Sequence, residues 1–265
     1  MHLSTKNVFI ITDLEGAAGV TRFEQASGKN HLIEQARKML TAELNAVIRG
    51  INDFDPVINI HVWDGHGAGG IDKADLLPVA KYLPPSRMHV PRYFKNEQID
   101  ALLFVGQHAM SNTPGANLCH TMSHEAVDYY KLNGITIGEF GLWAAVAGEI
   151  GVPTIYLSGD DKACEEASWH IPGIVTTAVK TSTGLETATD LPLSLERLHH
   201  DVQKALRTGP TLKPFTLGKP VALEIALKHG FRVRGLLKKG AERHGHTAAV
   251  FRAPSLEDLI DKEII

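Results

Sequence analysis

The 265-residue chain has 27 Lys and Arg against 30 Asp and Glu, a formal net charge of -3, and 43% apolar residues. That is an ordinary globular composition for one or two domains. With no long basic run, it excludes a nucleic-acid footprint and gives no ground for a membrane partner. Cys119 and Cys164 read as two free thiols, and the apolar run before Asp13 is too short for a signal core or a membrane span, so the expected setting is cytoplasmic.

In chain order, "NVFIITD" (7–13) reads as the first strand. The 3–4 spacing of Leu32, Ile33, Ala36, Met39, Leu40, Leu44, Val47 and Ile48 predicts a long amphipathic helix after it. Strands follow at 56–64 and 101–107, with "RMHVPRYF" as a further strand candidate. Next come a helix in "FGLWAAVAGEIG", a strand at 153–158, a helix in "DDKACEEASWH" and a strand in "IVTTAVK". This alternation predicts an α/β fold, a mostly parallel sheet flanked by helices. From 181 to 194 the composition turns polar. Beyond it stand a helix in "LERLHHDVQKALRTG", two strands and a last helix, "SLEDLIDKEII". The expected organisation is residues 1–190 as an α/β domain with the metal-binding and catalytic residues, and 191–265 as a smaller α+β domain available for oligomer contacts.

Polar residues with metal-ligand chemistry recur at the carboxyl ends of separate strands. Asp13 and Glu15 are two apart, as are Asp64 and His66; His108 follows its strand, and Glu139 stands where a helix opens. Taken singly, these read as a helix cap, a buried histidine or a first-turn acid. In a parallel sheet, however, strand carboxyl ends share one edge, where ligands bind, so Asp13, Glu15, His66, His108 and Glu139 form a constellation. Three carboxylates and two neutral imidazoles carry three negative charges, which two divalent ions with one hydroxide balance better than a single ion does. Oxygen and imidazole donors without thiolate suit zinc, and manganese less specifically.

Among the 14 histidines, His199 and His200 read as solvated. His244 and His246 admit a minor metal site, a plain loop being the ordinary reading. Gly65, Gly67 and Gly70 spell G-x-G-x-x-G, the form of a dinucleotide loop. That motif needs a helix opening inside the loop and an acid about 20 residues on. The sequence after Gly70 is interrupted by prolines, so the glycines read better as room for a tight turn beside His66.

The segments "TDLEG", "DGH", "GQHAMSNTPG" with "CHTM", "GEFGLWAAVAG" and "SGDDKACEEA" occur in this order and together resemble the zinc-dependent D-aminopeptidase family, D-stereospecific metallopeptidases that form decameric rings. The resemblance implies two zinc ions per subunit bridged by Asp13, with Glu15 and His108 completing one sphere and His66 and Glu139 the other. It places the catalytic histidine at His120, with His124 as the neighbour to exclude. It further implies an aminopeptidase acting on short peptides or amino-acid amides, or an amidase on other peptide-like bonds, assembled as a homo-oligomer. Asp160 and Asp161 are expected to cap a helix or support the site, and Asp64 to orient His66. Residues 180–191 depart from the family's usual composition. Two alternatives remain: an oxidoreductase using Gly65–Gly70, and a non-catalytic assembly protein with structural metals.

Overall fold

Strand β1 (Asn7–Thr12) alternates its side chains between two buried layers. Val8 and Ile10 join one hydrophobic cluster, while Phe9 and Ile11 join another. A strand covered on both faces belongs inside a parallel sheet. A computed structural model of the chain, describing residues 5–28, 31–183, 186–188 and 191–265, has that architecture. Strands β2 (Asn59–Asp64), β3 (Ala80–Leu83), β4 (Ala101–Gln107), β7 (Thr154–Asp160), β8 (Val175–Thr183) and β9 (Glu186–Ala188) complete a seven-stranded sheet of order β3-β2-β1-β4-β7-β8-β9. All its pairings are parallel except that of β9 with β8.

Helix α1 (His31–Phe54) covers one face. Ile33, Ala36, Leu40, Leu44, Val47, Ile48 and Ile51 form its buried stripe, packed with Leu198, Val202 and Ala205 of α5 (Leu191–Thr208). Leu40 is wholly buried, and truncating such a leucine to alanine costs about 2–5 kcal/mol. The opposite face carries α3 (Glu139–Glu149). Its side chains are apolar almost all round because it lies between two sheets, Phe140 meeting Phe104 edge to face at 5.0 Å.

The second sheet is antiparallel, of order β11-β12-β10-β5-β6, with β5 (Val127–Leu132), β6 (Ile135–Ile137), β10 (Val221–Leu227), β11 (Glu242–His244) and β12 (Ala248–Ala253). It takes strands from both sides of residue 190, and α5 packs on the first sheet's helix layer. A cut there therefore does not separate the two sheets. Residues 189–190 themselves lie outside the described residues. Among the described residues, no helix is long and apolar enough to cross a membrane.

One expectation is corrected, and one alternative loses its ground. "RMHVPRYF" contributes no strand: Val90–Glu97 is helix α2, capped by His89, whose ring accepts from the Arg92 N–H, with Pro91 in the first turn, where its missing N–H costs nothing. The loop Gly65–Gly70 opens no helix. The N–H groups of Gly70 and Ile71 already donate to the Asp64 carboxylate, at 2.8 and 3.3 Å. A pyrophosphate would meet a negative charge where it needs donors, so the dinucleotide reading fails.

Candidate metal centre

Strand order reverses at β1: β2 and β3 lie on one side of it, β4, β7 and β8 on the other. Crevices at the carboxyl ends of strands beside such a reversal are where open α/β sheets bind ligands. Asp13 leaves β1 there and His108 leaves β4. The two loops approach closely because Gly106, at φ +78°, has no Cβ to strike the Asp13 carbonyl. Glu15 follows two residues on, Gly16 N–H bonding the Gly106 carbonyl at 2.8 Å. His66 stands on the loop after β2, and Glu139 opens α3.

All five expected side chains meet, and His120 joins them. Asp13, Glu15 and His66 form one group of mutually close donor atoms, and His108, His120 and Glu139 form a second. His66 Nε2 lies 3.5 Å from Glu15 Oε1. His108 Nε2 lies 3.1 Å from Asp13 Oδ2 and 3.5 Å from Glu139 Oε1, out of line for a hydrogen bond. His120 Nε2 is 3.7 Å from Glu139 Oε1 and 4.0 Å from Glu15 Oε1, its ring stacked on that of His108 at 3.8 Å. Among these approaches Glu15 lies beside His66 and Glu139 beside His108. Asp13 lies between the groups.

Backbone carbonyls fix both inner imidazoles. His108 Nδ1–H donates to Ala109 C=O at 2.8 Å and His120 Nδ1–H to Leu118 C=O at 2.9 Å, leaving each Nε2 turned to the site carboxylates. His120 N–H also reaches Ala109 C=O, and Ala109 N–H donates to Asp160 Oδ2 at 3.1 Å. Asp160 is therefore both the cap of α4 (Asp161–His170), accepting from Ala163 N–H at 2.7 Å, and an anchor for Ala109, whose carbonyl meets the His108 ring and the His120 N–H. Asp161 accepts from Ser182 N–H on β8. Asp64 does not orient His66: its oxygens hold the loop N–H groups and face the Tyr82 hydroxyl.

The electrostatics fit a cation. Burial alone would raise the Asp13 carboxyl, but the facing charge of His108, with His66 and His120, holds it below the ordinary range. His66 is lifted to about 9: burial opposes protonation, but Glu15, Asp13 and Asp64 outweigh it. Burial also opposes protonation of His108, and Asp13 and Glu139 overcome it. His120 goes the other way, lowered by burial and then by His108. Glu15 Oε2 and His66 Nδ1 are buried without a hydrogen-bond partner among the described residues. Clustered carboxylates that draw protons onto their imidazoles are a donor set whose protons a divalent cation can displace, and oxygen and nitrogen donors without thiolate suit zinc.

The donors open into a cavity of about 400 Å³. Gly65, Gly67 and Ala68 form one wall, and Phe23, Met122 and His124 another. His124 stacks on Phe23 at 4.2 Å and stands outside both donor groups. Neither thiol enters the site: burial pushes the Cys164 thiol up, and both cysteines are free. Exposed His244 bonds Glu224, and no further donor group is found among the described residues.

The D-aminopeptidase family model matches residues 7–262 of this chain. The chain belongs to that family. A D-aminopeptidase of Bacillus subtilis (strain 168) is 31% identical over 182 residues, 65% of this chain and 63% of that relative's length. The solved structure of the Zn-dependent D-aminopeptidase DppA from Bacillus subtilis, a self-compartmentalizing protease, superposes with a TM-score of 0.87 at 25% identity, covering 97% of this chain and 95% of that one. The family's fold is thus the α/β architecture expected from the sequence, and the family match removes the oxidoreductase alternative.

Sequence reasoning missed Glu166, Lys180, Asn117 and Glu43, buried polar groups beneath the site. Glu43 and Glu166 sit on amphipathic helices, where an acid reads as solvent-facing. The one available signal was Lys180 itself, a charge inside a strand rich in β-branched residues.

Proposed function

We propose that this chain is a metal-dependent aminopeptidase with two zinc ions per subunit, releasing the N-terminal residue from short peptides or amino-acid amides, with D-residues preferred. The observation that carries the reading is the convergence of two donor groups, Asp13–Glu15–His66 and His108–His120–Glu139, at the strand-order reversal, where all but the more deeply buried His108 line one cavity. Family membership and the zinc dependence of the similar solved protein support the reaction class and the metal.

Asp13, Glu15 and His66 would hold one ion, and His108 and Glu139 the other, with the Asp13 carboxylate shared between them. The chemistry such ions supply when bound is Lewis acidity toward an amide carbonyl and toward water. The remaining work falls to the chain. His120 is buried, neutral and tautomerically fixed, so its Nε2 can take a proton from the attacking group and return it to the leaving amine. Phe23 and Met122 give one side of the cavity an apolar lining. The bare backbone at Gly67, with nothing within 4 Å of a Cβ there, leaves a path for the rest of a peptide.

Assembly as a homo-oligomer, in the finer form a decameric ring, is part of the proposal and rests on the self-compartmentalizing relative. A cytoplasmic setting is consistent with two free thiols. The test is a panel of L- and D-amino-acid amides and short peptides, assayed with zinc or manganese before and after chelation. The expected result is release of D-residues, lost on chelation and restored by zinc. Protein that holds about two cations yet releases nothing from the panel would favour a structural metal site and overturn the reading.

A further inference from the structure

Each half of the donor set rests on its own buried ionisable side chain. Lys180 of β8 is 1% exposed, and its Nζ donates to Glu15 C=O at 2.5 Å and Val20 C=O at 2.6 Å, with Asn117 Oδ1 at 3.4 Å. Those two carbonyls bracket the loop after β1, so one ammonium closes the loop that presents Glu15. Between them, Ala18 N–H donates to Glu43 Oε1 at 2.7 Å.

Glu166 of α4 plays the corresponding part across the cavity. Its Oε2 accepts from Met110 N–H at 2.9 Å and its Oε1 from Gly138 N–H at 3.1 Å. Met110 lies just past His108, and Gly138 immediately precedes Glu139. One carboxylate therefore ties the end of β4 to the start of α3. The fit is close, since a Cβ on Gly138 would lie 2.7 Å from Glu166 Oε1.

Neither charge lines the cavity, and the two share no hydrogen-bond partner. Buried charges are poor sources of stability, since apolar groups of similar size often serve as well, whereas a charge that collects several backbone groups fixes their geometry. Lys180 and Glu166 both sense the Asp160 charge, but their hydrogen bonds act on different loops, residues 15–20 for Lys180 and residues 110 and 138 for Glu166.

We infer that Lys180 and Glu166 are separate positioning residues, Lys180 for the Asp13–Glu15–His66 half and Glu166 for the His108–Glu139 half, so that the two cation sites can be weakened one at a time. The inference rests on the two-ion reading above. Lys180→Met removes the donors at nearly constant volume, and Glu166→Gln keeps one acceptor of two. The full-length variants are titrated with cobalt(II), followed by absorption, and amide hydrogen exchange is measured on the cation-free protein. Lys180→Met is expected to weaken one of the two cations at least tenfold and to speed exchange across residues 13–20, leaving 138–140 unchanged. Glu166→Gln is expected to do the reverse, its remaining cobalt ion showing a different spectrum.

Tyr156→Phe is the control for plain destabilisation. It removes a buried hydroxyl that meets Thr177 Oγ1 at 2.9 Å and should lower Tm without moving either spectrum. If Lys180→Met does not fold, Lys180→Gln serves the same arm. Parallel loss of both cations in each variant, or unchanged affinity in both, overturns the inference. A wild-type protein that takes up no cobalt or zinc sinks the two-ion reading instead. The exchange data still decide the local claim then, because equal acceleration of both segments in either variant refutes it.

Discussion

His120 is the residue on which ligand and proton-transfer roles compete. Its Nε2 is near enough to Glu139 and Glu15 to count among cation donors, yet it lies farther from both than His108 Nε2 lies from Asp13. Its ring is lowered by burial and by His108, whereas His66 and His108 are raised, which suits a group that must take a proton and give it back. On the two-ion proposal, His120→Ala is therefore expected to retain both cations while turnover falls by about 10²–10⁴-fold, the usual scale for a lost general acid or base. Metal analysis beside steady-state kinetics checks both halves of that statement. Loss of one cation would make His120 a ligand, and unchanged turnover would remove it from the reaction.

At the scale of elements, the site depends on how closely β1 and β4 run past their ends. Gly106 is the controlling position. A Cβ there would fall 2.1 Å from the Asp13 carbonyl and 2.6 Å from Leu40 Cδ1, in a backbone conformation that side chains disfavour by about 1–2 kcal/mol. Gly106→Ala should thus cost about 2 kcal/mol or more and displace Asp13, so cation uptake falls even in the fraction that remains folded. Denaturant unfolding and metal analysis report the two effects separately. This close approach also marks the limit of what periodicity reveals. The buried stripes of α1 and α5 and the apolar runs of β1, β4 and β7 are readable because each repeats its own period. The site's five donors are readable because strand carboxyl ends share an edge. The β5–β6 hairpin is less visible: its strands carry Asp128, Tyr129 and Lys131, although Asn133 and Gly134, with φ of 49° and 84°, form a turn that such dipeptides announce. Helix α2 reads as a strand because Val90, Tyr93 and Phe94 are strand formers, and Pro91 at its start outweighs them. The buried acids, unlike Lys180, have no local signature, because what makes Glu166 structural is the pair of N–H groups brought to it from residues 110 and 138.

Over the whole molecule, stability should carry the imprint of one acid far from solvent. Glu43 is fully buried on α1, its Oε1 holding Ala18 N–H and its Oε2 without a hydrogen-bond partner among the described residues. Burial lifts its carboxyl to about 8, against the downward pull of the Ala18 hydrogen bond and the Lys180 charge. Between the ordinary value of 4.5 and about 8, the native state keeps a proton that the unfolded chain has released. The unfolding free energy must therefore fall as pH rises through that window, by an upper bound on the order of a few kcal/mol. Lys180 acts in the opposite sense at higher pH. Lowered by burial to about 8 from 10.5, it leaves the unfolded chain with the extra proton between those values, so its contribution recovers as pH rises above 8. The facing pair thus places its own stability minimum near pH 8, with the loop between Glu15 and Val20 held by a neutral acid on one side and an ammonium on the other. Glu43→Gln keeps the acceptor for Ala18 and removes the titration. Thermal unfolding of the zinc-loaded protein from pH 5 to 8 should show a steeper fall in Tm for wild type than for the variant, and the variant should be the more stable at pH 8. Parallel curves would mean that Glu43 is ionised in the native state, and that Lys180 neutralises it across the gap between β8 and α1.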